Sequence, residues 1–152
     1  MGAVVTTYLE LTDPAKIRPA KRNDAEIARV DPPDGAVNRA FYERIGADYG
    51  WIDHRGRDAA WWQAHAERVE TWVIPHAGYY ELDADGGDVE IAYFGLLPAF
   101  HGRGLGGALL EHALRRGFEL GARVWVHTCT LDGPYALSNY TARGMVPYRV
   151  ER

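Results

Sequence analysis

Residues 98–110 read PAFHGRGLGGALL. Four glycines fall within residues 102–107, and an apolar run of helical character follows. The stretch before it, DVEIAYFGL (88–96), has the composition of a strand. A strand that runs into glycines and then a helix leaves the first helical N–H groups without partners, and the helix dipole favours negative charge there. Glycine also lets the backbone approach a phosphate closely. The turn is therefore expected to hold a phosphate-bearing ligand; a plain strand-to-helix connection does not need four glycines.

The surroundings narrow the ligand. Gly102, Gly104 and Gly107 match the GxGxxG spacing of dinucleotide-binding turns. That fold opens with its glycine turn on the first strand of a parallel sheet, whereas about a hundred residues precede this one. The acidic residue expected near a strand end about twenty positions on is missing, because Glu119 lies inside the helix. A nucleotide-hydrolase loop needs Lys and then Ser or Thr after its last glycine, and Ala108-Leu109 stand there instead.

Outward from the turn, the chain alternates readable elements. VVTTYLEL (4–11) is β-branched and aromatic and predicts a strand. Residues 13–35 are charged, carry four prolines, and predict a long loop with one short helix near 23–30. Val37, Phe41 and Ile45 recur at a spacing of four and predict a helix at the start of 36–51. Asp58 is placed to cap a second helix through Val69. ETWVIP (70–75), AGYYELDA (77–84) and DVEIAYFGL predict an antiparallel meander, with Asp85, Gly86 and Gly87 as turn residues. Leu109, Leu110, Ala113, Leu114, Gly117 and Phe118 give the helix after the turn an apolar stripe over about 105–120, and Gly121 stops it. RVWVHTCT (123–130) predicts a buried strand. Asp132, Gly133 and Pro134 open a short helix to about Arg143, and MVPYRV (145–150) predicts a last strand.

The segment EIAYFGLLPAFHGRGLGGALLEHAL resembles the coenzyme A-binding motif of the GNAT superfamily of N-acetyltransferases. Leu96-Leu97-Pro98 match the family's strand end, and His101 through Gly106 match its turn, with His101 standing where Gln or Arg is usual. ALSNYTARGMVPY resembles the family's ending Ala-x-x-x-Tyr-x-x-x-Gly-Phe, with Met145 in place of Phe. The resemblance runs from about 70 to 150. It implies an α/β (α+β) fold with a mixed, mostly antiparallel central sheet flanked by helices, as one N-acetyltransferase domain over 1–152. It implies acetyl-CoA as co-substrate and a primary amine as acceptor; the short chain and the lack of a strong acidic or basic patch lean toward a small molecule. Contacts to the coenzyme are implied at Leu96, Leu97, Gly102, Arg103, Gly104, Leu105, Gly106, Gly107 and Asn139. Leu96 or its neighbour is implied as the backbone donor to the developing oxyanion. The family often carries an Asn seven positions before the Tyr; here that position is Gly133.

Amine acetylation needs a base or water to take the amine proton, a donor for the thioester oxygen, and an acid for the departing thiolate. Glu90 is the first candidate base, at the position of the catalytic glutamate in histone-acetylating members. His127, an imidazole on the following strand, and a water chain are the alternatives. The resemblance places Tyr140 as the acid. Glu81 and His127 are further candidates at the acceptor. Tyr42, Trp51 and Asp53 belong to an aromatic and charged stretch, FYERIGADYGWIDHRGRDAAWW (41–62), that suits an amine with an apolar part. Cys129, two residues from His127, reads as a small buried hydrophobe rather than a nucleophile.

The bulk numbers agree with this reading. The chain has 152 residues, 47% of them hydrophobic, and a net charge of -4. That size allows one ordinary domain with a real core. The charge gives no general attraction to nucleic acid or to an anionic membrane, and no apolar run approaches the ~18 residues of a membrane span. A cytoplasmic protein is the default expectation. A single cysteine excludes an internal disulfide, and the six histidines show no metal-binding spacing. Whether the chain pairs into a homodimer is left open. Two other classes stand beside the enzyme: a non-catalytic acyl-CoA-binding domain on the same fold, and a nicotinamide-dependent oxidoreductase.

Overall fold

The computed structural model describes residues 4–132 and 135–152. Its centre is a seven-stranded sheet in the order β2-β3-β4-β5-β6-β1-β7. The strands are β1 (Thr6–Leu11), β2 (Ala28–Arg29), β3 (Glu70–Ile74), β4 (Gly78–Asp85), β5 (Asp88–Leu96), β6 (Arg123–Cys129) and β7 (Val146–Glu151). All neighbours are antiparallel except β5 and β6. The helices are α1 (Gly35–Tyr49), α2 (Ala59–Arg68), α3 (Leu105–Leu120) and α4 (Ala136–Ala142). Gly133 and Pro134, read as opening the last helix, lie outside the described residues.

Asp58 caps α2 as expected, its carboxylate accepting from the N–H of Trp61 at 2.9 Å. Asp34 does the same for α1 through Ala36. The apolar stripe of α3 lies on the sheet: Leu109, Leu110, Ala113 and Leu114 are fully buried against Val89, Ile91, Val124 and Val126. Each such aliphatic side chain contributes about 1.5–3 kcal/mol by leaving water. On the opposite face α1 and α2 cover β3–β5, where Phe41 stacks on Tyr79 with ring centroids 5.1 Å apart.

One sequence expectation is corrected. No α-helix forms over 23–30. Ala28–Arg29 instead form an edge strand, pairing with Val73 and Trp72 of β3. The loop 12–27 has its own turn of 3₁₀ helix at Pro14–Lys16, capped by Asp13. The first strand also has an unforeseen place: β1 sits inside the sheet, paired on both edges, with β6 and with β7. The chain must then cross from the sixth position of the sheet to the first, and residues 12–27 make that crossing over α3 and α4. Arg18 N–H donates to Arg143 O at 2.9 Å, and Ala20 N–H to the Glu111 carboxylate at 2.7 Å.

Candidate active site

The site begins where β5 and β6 part. Their parallel pairing covers only Asp88–Glu90 with Arg123–Trp125. Beyond it β5 stays paired with β4 alone: Leu97 N–H donates to Ala77 O at 2.8 Å. Successive residues of a strand turn their polar groups to opposite edges. Leu97 bonds to Ala77 and the register sets Tyr79 opposite Gly95, so the amides of Phe94 and Leu96 face the gap that β6 has left.

The glycine turn closes this gap at one end. Gly102 and Gly104 have φ of 75° and 77°, the left-handed region that glycine adopts freely. Gly104 precedes α3, and the first intrahelical bond runs from Ala108 N–H to Gly104 O. The N–H groups of Leu105, Gly106 and Gly107 therefore have no helical partner. A side chain built on Gly102 would meet nothing within 4 Å, so the backbone there is open to a ligand. Arg103 lies over the Phe100 ring at 5.4 Å. Asn139 has its amide nitrogen on the Gly106 carbonyl at 3.1 Å, which ties α4 to the turn.

His101, the residue that departs from Gln or Arg, reaches back to the strand. Its Nε2 lies 3.0 Å from Leu96 O. A carbonyl only accepts, so Nε2 carries the hydrogen. The Tyr49 hydroxyl at the end of α1 is 3.2 Å from the same nitrogen. One imidazole thus links the turn, the parted strand and the first helix. The sequence shows only that His101 stands where Gln or Arg is usual; nothing in the motif shows where its side chain folds.

Glu90 and His127 meet across the start of the gap, with Nε2 3.8 Å from the carboxylate. Glu90 is three-quarters shielded from solvent, while His127 is half exposed. Burial raises the Glu90 carboxyl above its ordinary value; His127 opposes this and Asp83 adds to it. Tyr140 is 6% exposed and packs against Phe94, with centroids 6.0 Å apart. Burial, with Asp132 adding its charge, raises its phenol well above the usual range, so it stays protonated. Burial also raises the Cys129 thiol, which suits an inert side chain.

The residues offered to an acceptor divide. Trp51 stands at the gap: its ring packs against Gly46 and Gly95 of β5, and its Nε1 donates to Asp132 at 3.3 Å. Asp132 also accepts from Thr128 Oγ1 at 2.6 Å and from Cys129 N–H at 2.9 Å. The sequence offered Asp132 only as part of the opening of the last helix; the structure makes it the post that holds Trp51 to the end of β6. Asp53 is exposed. Tyr42 and Glu81 are corrections. Tyr42 is buried among Trp51, Trp62 and Tyr93, its hydroxyl accepting from His54 N–H at 3.0 Å. Glu81 is wholly buried, its carboxylate accepting from His65 Nε2 and Asn38 Nδ2, each at 2.7 Å. Neither faces an acceptor, because α1 and α2 lie directly over this part of β4.

Among the described residues, no group of three or more His, Cys, Asp or Glu is placed to hold a metal ion. Nor is any helix there long and apolar enough to cross a membrane.

Comparison with known proteins agrees with this fold. Solved structures of similar fold include a GCN5-related N-acetyltransferase from Sphaerobacter thermophilus, at 16% identity and a TM-score of 0.68 over 97% of this chain and 49% of that one. Another is a GCN5-related N-acetyltransferase from Kribbella flavida, at 19% identity and 0.65 over 94% and 54%. A third is an aminoglycoside acetyltransferase from an uncultured soil metagenomic sample, solved with sisomicin, at 14% and 0.64 over 78% and 86%. The chain spans about half the length of the first two. No curated protein matches it. The acetyltransferase (GNAT) family model matches residues 25–145, which contain the parted strands, the glycine turn and Tyr140, and the chain belongs to that family.

Proposed function

We propose that the protein transfers an acetyl group from acetyl-CoA to a primary amine of a small molecule, by direct attack. The observation that carries this reading is the parted β5–β6 pair beside the glycine turn. Free amides of Phe94 and Leu96 line one side of the gap, and the unpartnered N–H groups that open α3 stand at its end. The first set suits an oxygen that gains negative charge; the second suits a pyrophosphate. Acetyl-CoA supplies the activated acetyl group. The chain supplies the donors, a shielded carboxylate at Glu90 and a protonated phenol at Tyr140. Glu90 lies four residues before Phe94, roughly 13 Å along the strand, so a proton from an amine at the gap reaches it through water. Trp51, held by Asp132, forms the acceptor wall.

The test is calorimetric titration with acetyl-CoA, with NADPH as the control, followed by a thiol-release screen of amines that includes aminoglycosides. Binding of acetyl-CoA with acetylation of an amine is the expected outcome. Binding of acetyl-CoA without turnover on any amine would favour an acyl-CoA-binding domain, and binding of NADPH alone would end the reading. Replacing Tyr140 with Phe is expected to lower turnover by about tenfold to a hundredfold, with acetyl-CoA affinity within about twofold of wild type. Unchanged turnover would remove the phenol from the mechanism.

A further inference from the structure

Most of the crossing segment 12–27 precedes the family match, which begins at residue 25, yet it lies against the glycine turn. Arg22 Nη1 donates to Arg103 O at 3.0 Å. The Arg22 Cβ lies 3.3 Å from where a side chain at Gly104 would start. At Gly107 the same space is met by the Ala20 methyl and by Arg143 Nη1, both at 3.3 Å. The segment is therefore the outer wall of the turn.

That wall is basic. KIRPAKR (16–22) holds Lys16, Arg18, Lys21 and Arg22 without an acidic residue, in a chain of net charge -4. Arg22 has one neighbour of opposite charge, Asp24, on its Nε at 2.7 Å, and its Nη1 is taken by the Arg103 carbonyl. Lys21 is exposed and makes no ion pair among the described residues. Arg143, behind the wall, has a buried Nε without a partner. Backbone N–H groups at the start of α3 answer a pyrophosphate, but they leave a second phosphate unanswered. Coenzyme A carries one, a monoester on the ribose with nearly two negative charges near neutral pH. A cation held at a fixed place beside the turn is what such a group needs, since charge-assisted hydrogen bonds are about twice as strong as neutral ones.

We infer that Lys21 and Arg22 recognise the 3′-phosphate of the coenzyme, with Arg143 adding positive charge from behind. This rests on the acetyl-CoA reading above. It makes the N-terminal crossing a specificity element that lies mostly ahead of the residues matched by the family model.

The experiment is titration of wild type, the double variant Lys21→Ala/Arg22→Ala and the single variant Arg22→Lys with acetyl-CoA and with acetyl-dephospho-CoA. Wild type is expected to prefer acetyl-CoA by roughly tenfold or more. The double variant is expected to lose that preference while keeping its affinity for the dephospho form. Arg22→Lys, which keeps the charge, is expected to retain most of it. A preference that survives in the double variant, or is absent in wild type, overturns the assignment and leaves the acetyl-CoA reading intact. Loss in Arg22→Lys as large as in the double variant also overturns it, because Arg22 would then act by clamping the turn. If wild type binds neither compound, the acetyl-CoA reading itself fails.

Discussion

Replacing Glu90 with glutamine is expected to lower turnover by about two to four orders of magnitude, with acetyl-CoA affinity within about twofold of wild type. The substitution keeps the shape and polarity of the side chain and removes only its capacity to take a proton. Because burial raises the Glu90 carboxyl, its base form accumulates as pH rises through that raised value, and kcat/KM should climb with it. In the glutamine variant this limb should vanish, leaving only the dependence set by the amine. His127 gives a second check. When protonated it favours the charged carboxylate and opposes the rise, so His127→Ala should move the limb to higher pH without abolishing turnover. Steady-state thiol release across pH decides both. Wild-type turnover in Glu90→Gln would return the base to His127 or to water.

The part of the molecule that carries this chemistry was the most legible in the sequence. Glycine spacing, a preceding strand and an apolar stripe at helical period are local signals, and β5, the turn and α3 all lie where they point. Asp58 and its helix were readable for the same reason. What failed was long-range. The composition of VVTTYLEL says strand, but no residue in it says that the strand enters the sheet between β6 and β7. Residues 23–30 can be written as a helix; their last residues instead find unpaired backbone on β3, and that tertiary partner decides their state. In the same way, alternation tells which face of β4 carries Glu81 but not that α1 and α2 close over it. In the aromatic stretch 41–62 the sequence favours core packing for Trp61 and Trp62 and offers Tyr42 and Trp51 to the acceptor; packing puts Tyr42 in the core beside Trp62, while Trp51 reaches the gap. His101 and Asp132 gave no advance sign because their roles depend on side-chain reach across elements distant in sequence.

The buried pair left out of the chemistry has the largest expected effect on stability. Replacing His65 with Ala should cost about 3–5 kcal/mol, read as a lower urea midpoint with an unchanged slope. Glu81 has no exposed surface, and two of its hydrogen bonds come from His65 and Asn38. Arg68 donates to His65 Nδ1 at 3.3 Å, so that nitrogen holds the lone pair and Nε2 holds the hydrogen given to the carboxylate. Trp61 stacks on the same imidazole, at 5.1 Å between centroids and 7° between planes. Alanine at 65 removes the donor and the stacking partner together, and strands a buried carboxylate on one remaining side-chain donor. The double variant His65→Leu/Glu81→Leu should recover much of the loss, because it removes the group that burial penalises rather than its partner. A cost below about 1 kcal/mol for His65→Ala would mean that the carboxylate is not sealed as described. The network also bears on the site: Glu81 pairs in register with Tyr93, and Tyr93 packs on Trp51 at 5.0 Å. A loosened Glu81 should therefore raise the KM for the amine while coenzyme affinity, set at the far side of the gap by the glycine turn, stays as it was.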